Sequence, residues 1–271
     1  MPLASRVDPF GNLFASPARG LLMGNRGGRI HEDERLLGRR RWASRAWICC
    51  RLDFKGRRRR VWGDSYTELF FFDEVTALAA GHRPCFECRR RDAEAFARAI
   101  APAVAGGWPE GPQRENGYPG GEAAEGMPSD GLRTGRMRAG EMRAGNRRPR
   151  AGDIDRLLHA QRRAVAGPLP SLDRPLNDLP DGVMVESCGT THAVRGGCLL
   201  RWTPFGYEAA ETLPEIASSE TPRSVGAGAG PEAARPLVLI TPPAIVAALA
   251  RGYRPLWHPS ADQAAGPSPS R

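Results

Sequence analysis

Hydrophobic and polar positions change period several times along the chain, and each change marks a predicted element. The stretch "RAWICCRLDF", ending at Phe54, reads as a strand, and Lys55-Gly56 followed by "RRRR" and "VW" predicts a hairpin with a second strand. "YTELFFF" predicts another strand from its aromatic content. In the next segment, "DEVTALAAG", Val75, Leu78 and Ala79 recur at helical spacing, with Asp73 placed to cap the helix and Gly81 to stop it. "RRRDAEAFARAIAPAVA" predicts a second helix with Ala93, Phe96, Ala97 and Ile100 on its core face. A third follows in "DIDRLLHAQRRAVA", where Ile154, Leu157, Leu158 and Val165 oppose Asp155, Arg156, His159 and Arg163. "DGVMVES", "THAVRGGCLLRWTPFGY" and "PLVLI" complete the predicted strands.

Between residues 106 and 150 the periodicity stops. Gly, Pro and charge replace branched apolar side chains, so the stretch cannot bury enough surface to offset the entropy of ordering it, and a disordered insert is expected. "SSETPRSVGAGAGPEAARP" predicts a second flexible loop. An internal echo spans the insert: "VTALAAGHRPCFEC" resembles "VAALARGYRPLWHP", pairing Leu78 with Leu249, Gly81 with Gly252 and Arg83-Pro84 with Arg254-Pro255. Gene duplication accounts for this, and so does independent use of a helix, a glycine stop and an Arg-Pro extension. The expected fold class is α+β: two small strand-hairpin-helix modules joined by the insert. Residues 1–105 form the first module, 106–150 the insert, 151–260 a second module without the cysteine pair, and 261–271 a flexible tail.

A length of 271 residues with 41% hydrophobic positions suffices for packed cores. The net charge of +9 favours nucleic acid or another anionic partner. Since Lys55 is the only lysine, a GC-rich coding bias toward arginine accounts for the charge equally well. No apolar run is long enough to span a membrane, and "MPLASRVDPFGNLF" lacks the pattern of a signal peptide. A cytoplasmic location with reduced thiols is therefore expected.

In that setting the pair in "RPCFEC" points to metal or redox chemistry. Cys85 and Cys88 supply two ligands where a closed zinc site needs four. Cys49 and Cys50 lie on a predicted strand, so only one of them faces a given site, and the alternation selects Cys50. His31, after "RGGRI", is the candidate fourth ligand, giving Zn2+ as the expected cofactor. A redox role remains open, because a helix begins just after Cys88 and its dipole lowers a thiol pKa. So does the reading in which the pair has no special role. Cys188 and Cys198 read as small apolar strand residues.

The run "FFFDEVTALAAGHRPCFEC" resembles the metal-binding module of Ada-type alkylation-response proteins, in which a strand and a short Ala-rich helix lead to Arg-Pro-Cys-x-x-Cys. The resemblance covers Tyr66 to Arg89 and implies a small zinc-binding α/β module with Cys85 and Cys88 as ligands. The family's upstream Cys-x-x-x-Cys pair has no counterpart here beyond the adjacent Cys49-Cys50.

Other candidate chemistry is sparse. His159, one helical turn after Asp155, fits an oriented general base, with His258 or His31 as further candidates; a solvated helix face and a packing histidine fit the same pattern. No phosphate loop, dinucleotide fingerprint or nucleophile elbow occurs. Arg26 and Arg29 in "GNRGGR" are placed to hold an anion, and Arg57, Arg58, Arg59 and Arg60 form a ridge suited to phosphates, with Trp42, Trp47 and Trp62 available for base stacking or for the core. Three function classes follow: a non-catalytic zinc protein that contacts nucleic acid, a hydrolase or transferase acting on nucleic acid or a phosphorylated substrate, and a protein-interaction scaffold.

Overall fold

The computed structural model describes residues 2–33, 36–57, 60–106, 148–162, 178–187, 189–211 and 237–265. Most of the expected insert, the loop at 218–236 and the end of the chain lie outside them, as do Arg58, Arg59, Arg163, Val165 and Cys188. The architecture is α+β, and each half of the chain builds its own sheet.

The N-terminal sheet contains β1 (Arg6–Val7), β2 (Leu13–Phe14), β3 (Leu22–Arg26), β4 (Trp47–Arg51), β5 (Leu69–Phe71) and β6 (Arg83–Pro84), in the order β2-β1-β5-β3-β4-β6. β3 pairs antiparallel with both β4 and β5, and β6 lies parallel to β4. Lys55 and Gly56 do form a turn, both with positive φ, but the next strand among the described residues begins only at Leu69. The partner of β4 is instead β3, a strand hidden within "LLMGNR". Beyond Arg26, which ends β3, residues 27–31 form no strand, and His31 makes a single bridge with Leu37.

The C-terminal sheet, β7 (Met184–Ser187), β8 (Thr190–Arg195), β9 (Cys198–Thr203), β10 (Gly206–Glu211) and β11 (Val238–Leu239), is antiparallel throughout, in the order β10-β9-β8-β7-β11. Gly196 and Gly197 turn β8 into β9 with φ of 57° and 76°, the left-handed pair a two-residue hairpin demands.

Helices α1 (Glu74–Ala79), α2 (Arg90–Ala105), α3 (Ala151–Gln161), α4 (Pro243–Ala250) and α5 (Ser260–Ala264) complete the fold. Asp73 caps α1 by accepting a hydrogen bond from the Thr76 N–H, and α2 buries Ala93, Phe96, Ala97 and Ile100 as its periodicity predicts. Phe96, Ala97 and Ile100 join Leu78, Ile154, Leu158, Val185, Ile245 and Leu249 in one apolar cluster drawn from both halves. The two sheets are therefore joined through a shared core. Asp155, expected on the outer face of α3, is buried because Arg83 grips it with two bonds of 2.8 and 2.7 Å. Within the expected tail, α5 carries Ala261, which is buried.

The sequence echo extends to hydrogen bonds. After α1, Gly81 N–H reaches Leu78 O and His82 N–H reaches Ala77 O; after α4, Gly252 N–H reaches Leu249 O and Tyr253 N–H reaches Ala248 O. Gly81 and Gly252 have φ of 79° and 93°, as this kind of helix ending requires.

Buried carboxylates tie the halves together at the start of α1. Glu74 accepts from Tyr253 Oη at 2.6 Å and from the Leu256 N–H at 2.8 Å. Asp73 accepts from Tyr207 Oη at 2.9 Å and from the His258 N–H at 3.2 Å.

Candidate metal centre

The parallel pairing of β6 with β4 decides the site. It sets the start of the Cys85-Phe86-Glu87-Cys88 turn beside the end of β4, with Cys85 N–H bonded to Cys49 O at 3.0 Å. Alternation along β4 then directs Cys50 toward the turn. The sulfurs of Cys50, Cys85 and Cys88 lie within 4.8 Å of one another. Three thiolates on one zinc, with Zn–S about 2.3 Å, stand about 3.8 Å apart, so closing the cluster on a metal needs only a small contraction.

Backbone donors are already aimed at these sulfurs. Glu87 N–H points to Cys85 Sγ and Arg51 N–H to Cys88 Sγ, each at 3.4 Å, and such bonds favour the thiolate. Cys85 accepts hydrogen bonds from the Cys50 and Cys88 thiols, which pulls its own pKa well below the ordinary thiol value. Cys50, as the donor toward Cys85 and Cys88, is pushed up. The three thiols thus share hydrogen bonds with one another, and a metal bound among them would displace their protons.

Cys49 points the other way. It is fully buried, and burial raises its pKa. The Arg89 guanidinium donates to its sulfur at 3.3 Å, and also pairs with Glu74 at 2.7 Å and Asp92 at 2.9 Å. Sequence reasoning passed over Arg89, which looks like its neighbours in the run "RRR"; its position at the start of α2, immediately after Cys88, was the available signal.

His31 is not part of the cluster. Its Nδ1 meets Thr67 Oγ1 at 2.7 Å and its Nε2 meets Gly63 O at 2.9 Å, while the ring stacks on Trp62 with centroids 5.6 Å apart. Among the described residues no His, Asp or Glu completes a fourth ligand. The cluster instead opens into a cleft of about 610 Å³ walled by Met23, Phe54, Tyr66 and Phe70.

The arginines chosen from sequence fall into different settings. Arg57 pairs with Glu87 at 2.8 Å, and Arg29 bonds the carbonyls of His31 and Glu32 in its own loop. Arg60 is exposed. Arg26 is not a surface residue at all, being 1% exposed. Its guanidinium lies 3.9 Å from the Trp47 ring, Arg162 lies 4.4 Å from the same ring, and burial lowers both arginines to about 9. Of the tryptophans, Trp47 and Trp62 are core residues.

The expected Asp155–His159 dyad does not form, since Asp155 belongs to Arg83. His159 Nδ1 faces Arg162 at 3.1 Å, and burial together with Arg162 and Arg45 lowers its pKa to about 4. His258 pairs through Nδ1 with Ser260 Oγ at 2.9 Å and stacks on Phe72. Comparison with family models, curated proteins and solved structures returns no match for this chain.

Proposed function

We propose that the protein binds one Zn2+ ion through Cys50, Cys85 and Cys88 and contacts nucleic acid beside that centre, in the cytoplasm where thiols stay reduced. The observation that carries the metal reading is the convergence of three sulfurs within 4.8 Å from two separate chain segments. A redox dithiol needs only two thiols, whereas the third thiol and the N–H donors on Cys85 and Cys88 suit a thiolate metal knuckle of the kind the Ada-type resemblance implies. The net charge of +9 supports a polyanionic partner. Metal analysis of protein purified under reducing conditions tests the first part. Close to one zinc per chain is expected, and a metal-free protein that takes up no zinc refutes it.

One feature favours a second reading. Three protein ligands would leave zinc a fourth position, the three cysteines line the 610 Å³ cleft, and open positions belong to metal sites that act on a ligand. A hydrolase or transferase acting on nucleic acid or a phosphorylated compound fits that arrangement.

A further inference from the structure

A second groove, of about 840 Å³, begins at Cys88 and runs between the first turn of α2 and the segment Arg254-Pro255-Leu256. A hollow of about 470 Å³ continues from it along α2, sharing Asp92 and Arg254. Six exposed arginines line this path; Arg90 pairs with Glu94, while Arg51, Arg91, Arg98, Arg251 and Arg254 form no ion pair among the described residues. The carboxylates nearby are mostly engaged: Asp92 and Glu74 with Arg89, Glu87 with Arg57. The contrast with Arg83 is instructive, because Arg83 occupies the position equivalent to Arg254 in the echo and is buried against Asp155. Arg254 has no such partner and faces the groove.

The groove is not purely cationic. Leu52 and Leu256 line it and are 50% and 47% exposed, among the few large apolar side chains left in water. Guanidiniums at intervals, with apolar side chains between them, match a chain that alternates phosphates with apolar faces. A duplex hides those faces in its stack; a single strand presents them.

Resting on the nucleic-acid reading above, we infer that this arginine-lined groove is the binding track for single-stranded nucleic acid, leading the strand to the cysteine cluster at Cys88. Arg57 and Arg60 line neither the groove nor the hollow. Arg57 is already neutralised by Glu87.

The test is a fluorescence-anisotropy titration of full-length, zinc-loaded protein with labelled oligothymidylate across a salt series. The wild type should bind, with affinity falling steeply as salt rises. The combined variant Arg91→Gln, Arg98→Gln, Arg251→Gln, Arg254→Gln should bind at least about tenfold more weakly, with the log–log salt slope reduced by about 3, since each single-strand phosphate contact contributes about 0.7. All four side chains are exposed, and an unchanged melting temperature verifies that the variant is folded. Arg57→Gln with Arg60→Gln should bind nearly as the wild type does. Equal loss in both variants, or no loss in the groove variant, overturns the track. A wild type that binds no oligonucleotide overturns the nucleic-acid reading itself. Tighter binding of duplex, or displacement by polyglutamate at equal charge concentration, overturns the assignment to a single strand.

Discussion

Arg89 and Glu74 form an ion pair of 2.7 Å whose side chains are only 6% and 1% exposed, one residue beyond the last cysteine of the cluster. Glu74 also receives Tyr253 and Leu256 from the C-terminal half, so a single carboxylate links the edge of the cysteine cluster to the join between the sheets. Removing it takes from Arg89 the buried one of its two carboxylate partners and leaves two donors without their acceptor. Glu74→Ala is expected to cost about 3–5 kcal/mol, the range for breaking one partner out of a buried pair. Urea denaturation measures this directly, and a loss under 1 kcal/mol would show that the pair is dispensable.

Cobalt substitution separates the cysteines. Co2+ in place of zinc should give thiolate charge-transfer absorption that Cys50→Ser, Cys85→Ser and Cys88→Ser each weaken or abolish. Cys49→Ser and His31→Ala should leave the metal stoichiometry unchanged, because neither residue faces the cluster. With the coordination sphere open to the cleft, imidazole added to the cobalt form should shift its visible bands; an indifferent spectrum means that the protein closes the sphere itself. Acid should release the metal as protons compete for the sulfurs.

Asp73 gives the fold a pH dependence of uncommon sign. Burial raises its carboxyl from 3.8 to about 6, against the opposing bonds from Thr76 and Tyr207. The folded state therefore prefers the protonated form. The stability this group contributes is complete below 3.8 and declines as pH rises through about 6, by about 3 kcal/mol in all. Melting temperatures of wild type and Asp73→Asn, followed from pH 4 to 7, should diverge across that window, the wild type losing more. Parallel curves would show that Asp73 titrates normally.

The two glycine helix endings should respond unequally to alanine. Both have positive φ, costing about 1–2 kcal/mol for a side chain. At Gly252 a new Cβ meets nothing within 4 Å, whereas at Gly81 it falls 2.5 Å from Arg162 Cγ. Gly81→Ala should thus lower the melting temperature more than Gly252→Ala. The reverse order would remove Arg162 as the reason.

Much of this was legible in the sequence wherever local periodicity sufficed. The core face of α2 and the cap and stop of α1 are properties of neighbouring residues, and the choice of Cys50 over Cys49 needed only the two-residue alternation of a strand. What escaped depended on distant partners. The strand beside β4 is β3, more than twenty residues earlier in the chain, and a favourable turn at Lys55-Gly56 drew the pairing to the wrong side. His31 looked like a ligand until Thr67 and Gly63 were seen to hold both ring nitrogens, and Asp155 looked solvated until Arg83 reached it. Arginine was the hardest residue to read, because Arg26, Arg89 and Arg162 lie inside the protein while Arg91 and Arg254 lie outside, and composition alone treats them alike.

The matching helix ends after α1 and α4 amount to a control built into the molecule. The C-terminal copy turns its chain with the same hydrogen bonds and the same left-handed glycine, yet has Leu256 and Trp257 where a metal ligand and its neighbour would stand. The bend that delivers Arg83-Pro84 to β4 is therefore a habit of the backbone and owes nothing to an ion. If an ion binds as proposed, Cys85 would meet it already in place, and capture would resemble a key entering a cut lock more than a clasp drawing loose ends together.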